Sequence, residues 1–225
     1  QCARVDQHRR KASRHIADSD MQSLTVTDFE SLSAELIGMS KKLGVPLQYI
    51  LLTAHVKAIA TLSGQVNVLT NVVSNGRPEQ DGAEEGLGLF LNSLPICMQL
   101  EEGSWLKLIK SVTQKMVESL PYRHYPLSAI QQDTGMTFSE VLFNYVHFHS
   151  YQRLENETDV EVLDLVGYEE TNFDLCINFS RGLNEDIIRF YMQYDAEVFE
   201  REIIDSFSNY YLNAFKSMLN DIEGT

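Results

Sequence analysis

Residues 46 to 63 constrain the fold more than any other stretch. Leu47, Ile50, Leu51, Ala54, Ala58, Ile59 and Leu62 are apolar at helical spacing, and Val56 and Ala60 fall on the other side. A helix that is apolar almost all round has no face to give to water, so it belongs at the centre of a domain. Pro46 suits its first turn. Ser63-Gly64-Gln65 ends it, and His55 and Lys57 are its polar exceptions.

The elements around it alternate early and segregate late. Residues 23 to 26 form a short strand candidate. Thr27 or Asp28 caps a first helix, and Thr27 with Glu30 fits a capping box. Phe29, Leu32, Leu36, Met39 and Leu43 give that helix one apolar stripe, which Gly44 stops. A strand follows over 66–74 and returns over 89–100. Ser104 caps a third helix whose inner face is Trp105, Leu108, Ile109, Val112, Met116 and Leu120. PYRHYP at 121–126 breaks it, and 127–133 is a short helix before Gly135. Residues 140–149 alternate as a strong strand, and an edge strand is expected around Val160, Val162 and Leu163. Strands over 171–179 and 187–194 make a hairpin through a turn at Gly182. The last helix begins near Phe199 and carries Ile204, Phe207, Tyr211, Phe215 and Met218 inward to about 219. The fold class is therefore α/β, a mixed sheet covered by helices in a sandwich.

Charge divides the chain. Residues 1–22 are polar, lack periodicity and hold five Lys/Arg against three acids, so they read as a linker or arm. The remainder, 23–225, reads as one domain with 13 Lys/Arg against 29 acids. So acidic a body argues against nucleic-acid binding, which needs a basic surface. No apolar run has the length of a membrane span and the start lacks a signal-peptide core. Cys2, Cys97 and Cys176 are odd in number without CxxC spacing, which reads as free thiols in a reducing, cytoplasmic setting. Opening on glutamine, the chain reads as a fragment or a processed piece.

Between the two central strands lies NGRPEQDGAEEGLGLFLNSLP, residues 75–95. Asn75-Gly76 is a turn signal because both residues tolerate positive φ. Gly82, Gly86 and Gly88 punctuate a span holding Glu79, Asp81, Glu84 and Glu85. A connection of this length is either functional or a plain glycine-rich surface loop.

Familiar catalytic signatures are missing. No GxSxG elbow, P-loop, GxGxxG or HExxH occurs. His147 and His149 share one side of a strand and could bind a metal. A third ligand is not evident, and a packing or hydrogen-bonding pair is the commoner reading. Cys97 and Cys176 read as small core residues. Asn92, Asn144 and Asn172 sit in or beside apolar strands and need partners if buried; they line a polar channel or are satisfied within the sheet. No catalytic set and no metal site is assigned.

Several segments, in order, resemble the condensation domains of nonribosomal peptide synthetases. LGVP at 43–46 through LSGQ at 62–65 is similar to the family's helix, and 68–78 to its strand and turn ending in GRP. GLGLFLNSLP at 86–95 resembles IGxFVNTLP. FSEVLFNY at 138–145, TNFDL at 171–175 and 194–199 resemble later motifs, while HYPL at 124–127 departs from the family's pattern. The resemblance implies a chloramphenicol-acetyltransferase-like sandwich, one half of a V-shaped domain. The family's HHxxxDG lies in the first half and does not occur here, so the chain looks like the C-terminal subdomain, inactive alone. It would supply the tunnel wall, a floor loop and a latch near Gly182 for amide formation between carrier-tethered thioesters. The residues so implicated are Arg77, Asp81, Gly86, Gly88, Asn92 and Asn144. No cofactor would bind directly; phosphopantetheine arms would enter from partners. Those partners are the N-terminal half, peptidyl carrier proteins and a neighbouring adenylation domain, with no nucleic acid and no membrane. A non-catalytic carrier-docking module, or an epimerising or terminal ester- or amide-forming relative, is the alternative.

Overall fold

The computed structural model describes residues 20–77, 86–88, 90–138, 140–147, 171–181 and 186–224. Within them runs one six-stranded sheet made of β1 (Met21–Thr25), β2 (Asn67–Asn75), β3 (Leu91–Gln99), β4 (Val141–His147), β5 (Leu175–Arg181) and β6 (Ile188–Asp195). The strand order is β1-β6-β5-β4-β2-β3. The β2/β4 and β4/β5 pairs are parallel, and β1/β6, β5/β6 and β2/β3 are antiparallel. The sheet is mixed, as expected, and the pairing of β5 with β6 gives the expected antiparallel pair. The turn at Gly182, the acidic stretch 150–167 and the 1–19 arm lie outside the described residues.

Helices α1 (Ser33–Leu43), α2 (Leu47–Ser63), α3 (Trp105–Ser119) and α5 (Arg201–Asn220) pack on one face of the sheet, and the short α4 (Leu127–Thr134) packs beside β3. Helix α2 is central, with Ile50, Leu51, Ala54, Val56 and Ile59 fully or almost fully buried. Both α1 and α2 end on glycines at φ +65°, where a left-handed residue closes the last turn. Ser104 caps α3, its Oγ accepting from the Lys107 N–H at 3.3 Å.

Strand alternation decides which side each residue takes. On β6, Ile188, Phe190, Met192 and Tyr194 point to the helices and are buried. Phe179 of β5 stacks on Phe190, ring centroids 4.5 Å apart, and Phe29 and Phe215 close over them edge-on or tilted. This aromatic cluster is the hub joining sheet and helices.

Three local readings give way to packing. The Thr27–Glu30 capping box does not form: Thr27–Leu32 is a 3-10 turn with no side-chain cap. Burying Phe29 in the aromatic cluster bends the chain there, and α1 starts at Ser33, whose Oγ accepts from the Ile188 N–H. Leu120 is 44% exposed rather than inward, because α3 ends at Ser119 and a 3-10 turn carrying Pro121 swings it out. Cys97 is exposed on the edge strand β3 and disulfide-bonded, neither buried nor a free thiol. Cys176 is buried and free. The reducing compartment inferred from free thiols loses that support.

Candidate functional site

The face of the sheet away from the main helices is where the sequence's polar strand residues meet. Leu142, Asn144, Cys176, Asn178 and Gln193 project from β4, β5 and β6 on this side, and Val73 and Ser93 from β2 and β3. Together with Leu91, Asn92, Leu127 and Thr171 they line a cavity of about 370 Å³. Among these lining residues none carries a charge, and none is a histidine.

Asn92 and Asn144, expected to line a channel or to be satisfied within the sheet, both line the cavity, but only Asn144 finds its partner within the sheet. The Asn92 Nδ2 donates to the carbonyl oxygens of Arg123 and Tyr125 at 3.0 and 2.7 Å. It fastens the PYRHYP segment to β3 and so places Leu127 at the cavity wall. The Asn144 Nδ2 donates to Asn178 Oδ1 at 3.2 Å. Asn178, which sequence reasoning did not single out, donates in turn to Gln193 Oε1 and to the Cys176 carbonyl. Its sequence signal was an asparagine inside an apolar strand; that it faces Asn144 follows from the pairing of β4 with β5.

Arg77, Gly86 and Gly88 gather at a second point, the base of the 75–95 stretch. The Arg77 guanidinium lies 4.2 Å over the Phe90 ring and its Nη1 donates to the Gly86 carbonyl at 2.8 Å. Gly88 has φ +154°, a conformation suited to glycine, and lies beside Phe90. Asp81 lies outside the described residues. The expectation of positive φ at Asn75-Gly76 fails. Asn75 is still in β2, paired with Leu91, and its Oδ1 accepts from the Arg77 N–H. No residue but glycine has positive φ among the described residues, and Gly76 is not one of those that do. Gly76 sits instead in a crowded place: a Cβ there would stand 3.0 Å from His124 Nδ1 and 3.1 Å from the Phe90 carbonyl. This contact joins the loop base to the PYRHYP segment.

Among the described residues no histidine side chain lines the cavity. His55 is fully buried between α2, α5 and β2, with Nδ1 2.7 Å from the Tyr211 hydroxyl and Nε2 2.8 Å from Thr70 Oγ1. Burial pulls its pKa down to about 3, so it is neutral and structural. His149 and the side chain of His147 lie outside the described residues. Among the described residues no three His, Cys, Asp or Glu side chains come together to hold a metal ion, and no single helix is long and apolar enough to cross a membrane.

The mixed sheet with helices packed over one face has the fold of condensation domains, the chloramphenicol-acetyltransferase-like architecture. The fold comparison agrees: the chain is similar to a four-domain nonribosomal peptide synthetase, at TM-score 0.81 and 14% identity over 99% of this chain and 18% of that one. It is also similar to the condensation domain of the polyketide synthase MokA, at TM-score 0.78 and 12% identity, covering 99% of this chain and 53% of that one. At the level of sequence it is 32% identical over 193 residues to the AMB antimetabolite synthetase AmbE of Pseudomonas aeruginosa, which covers 85% of this chain. The chain belongs to the Condensation domain family, which it matches over residues 5–225. It spans 9% of the length of AmbE.

Proposed function

We propose that this chain is the C-terminal subdomain of a peptide-synthetase condensation domain. In this reading it is one wall of the tunnel in which a carrier-tethered amine attacks a carrier-tethered thioester. The observation that carries the reading is the cavity itself. It is lined by amides, hydroxyls, aliphatic groups and the Cys176 thiol, and the described lining holds no histidine or carboxylate to take a proton. Such a surface can orient two acyl chains and exclude water, which supplies much of the acceleration that amide formation from a thioester needs. The proton acceptor would come from the other half. The 53% coverage of a condensation-domain chain supports that division.

Within this reading Asn92 and Asn144 are wall residues. Arg77, Gly86 and Gly88 anchor the end of the floor loop that includes Asp81. The stretch near Gly182 is the latch. The partners are the N-terminal half, two peptidyl carrier proteins with their phosphopantetheine arms and a neighbouring adenylation domain. The test is reconstitution. The chain is mixed with its N-terminal half and two loaded carriers, and the amide product is followed by mass spectrometry. Product formed only when both halves are present supports the reading. Carrier binding without product overturns it in favour of docking alone.

A further inference from the structure

The cavity contains an amide relay whose direction the backbone fixes. Asn178 is 2% exposed, and its Nδ2 donates to the Cys176 carbonyl at 3.4 Å and to Gln193 Oε1 at 3.2 Å. A backbone carbonyl can only accept, so the Asn178 amide cannot be turned round without setting two acceptors against each other. That choice propagates both ways. Asn178 Oδ1 accepts from Asn144 Nδ2 at 3.2 Å, so Asn144 spends a donor on the relay and keeps its Oδ1 acceptor. Gln193 spends its acceptor and keeps its Nε2 donors. Among the described residues neither Asn144 Oδ1 nor Gln193 Nε2 has a partner, and both side chains line the cavity. With β5 between β4 and β6, and Gln193 two residues along β6 from the position across from Asn178, the two ends stand about 12 Å apart at the backbone.

We propose that Asn144 and Gln193 make this cavity a subsite for an uncharged, peptide-like amide. An N–H of the ligand donates to Asn144 Oδ1, and a carbonyl of the ligand accepts from Gln193 Nε2. An ester supplies the carbonyl and lacks the N–H. A carboxylate sets its charge against the Asn144 oxygen, and an ammonium loses its water where no described lining residue carries an opposite charge. A volume of about 370 Å³ admits a ligand of one or two residues. The inference deepens the tunnel-wall reading by naming what the wall selects, yet it needs neither the other half nor any chemistry.

The test titrates the isotope-labelled chain with N-methylpropionamide, methyl propionate and propionate, so that the N-methylamide alone carries an N–H. Binding is followed through the side-chain amide signals of Asn144, Asn178 and Gln193. The N-methylamide shifts them, the ester binds roughly three- to tenfold more weakly for want of one hydrogen bond, and the free acid more weakly still. N144L abolishes the preference for amide over ester. Q193L weakens both alike, because it removes the contact they share. A relay that only holds the strands together moves neither ratio. Equal binding of amide and ester, a preference that survives N144L, or no shift with any probe overturns the proposal. If a variant fails to fold, the amide-to-ester ratio of the unsubstituted chain still decides. Propionamide is the arm for a side-chain carboxamide: binding at least as tight as the N-methylamide assigns the subsite to side chains, weaker binding to main-chain amides, and either result supports an amide subsite. Condensation that proceeds normally alongside a negative titration overturns the subsite alone; a positive titration without condensation overturns the half-domain reading alone.

Discussion

Two residues show how single positions are governed by what surrounds them. His55 is held neutral by burial, with its folded pKa near 3 against about 6.5 for a free histidine. Above pH 6.5 both folded and unfolded chains carry it neutral, and its stabilising contribution is fully present. As pH falls the unfolded chain takes up the proton first, so stability drains by roughly 1.4 kcal/mol per pH unit until the folded pKa is reached. Denaturant melts between pH 7 and pH 4 should show this slope, and a His55→Gln variant should be less stable at pH 7 but lose less on acidification. Gly76 is a matter of contact instead. A Gly76→Ala substitution presses a methyl against the Phe90 carbonyl and the His124 ring and should cost about 1–3 kcal/mol. Both atoms lie across from β2 on separate segments, so the same variant should disturb His124 and Phe90 signals together.

At the scale of elements, the notable piece is the segment between α3 and α4. It has little regular structure: a 3-10 turn over Leu120–Tyr122, then Pro126 leading into α4. Asn92 is what attaches it to the sheet. An Asn92→Ala substitution removes two hydrogen bonds and leaves two carbonyls to find water, a loss of roughly 1–3 kcal/mol. Because the segment lies at the surface, the effect should be local. Hydrogen exchange should quicken over 122–127 while α2 keeps its protection. Uniform loss of protection would mean that Asn92 supports the whole sheet. The element boundaries themselves were largely legible. The glycines at 44, 64 and 135 and the cap at Ser104 mark helix ends wherever a helix follows its own propensity. The Thr27–Leu32 turn was not legible, because its shape answers to where Phe29 must go and not to its own caps.

For the molecule as a whole, the asymmetry of the sheet matters most. One face carries the aromatic hub and the helices. The other carries the Asn144–Asn178–Gln193 relay and a cavity without charge. If the floor-loop reading holds, removing residues 81–85 should abolish condensation in the reconstituted enzyme. The thermal midpoint of this chain should meanwhile change little, since Arg77, Phe90 and Gly86 anchor the loop base outside the deleted residues. Retained product formation would separate the loop from function.

The sequence by itself determined the order of elements, the central helix and the mixed sheet, because those follow from period, punctuation and composition along the chain. It also carried Asn92 and Asn144 as residues of interest, since a carboxamide inside an apolar strand demands a partner whatever the fold. Only the tertiary structure decided which partners they took. Strand order brings β4 beside the neighbouring strands β5 and β6 from an earlier part of the chain and sets Asn144 beside Asn178, while the register of β5 on β6 sets Gln193 within reach of Asn178. The exposure of Cys97, the close fit at Gly76 and the burial of His55 were decided in the same way. Each depends on what lies across a strand or between helices, and that neighbour is remote in sequence.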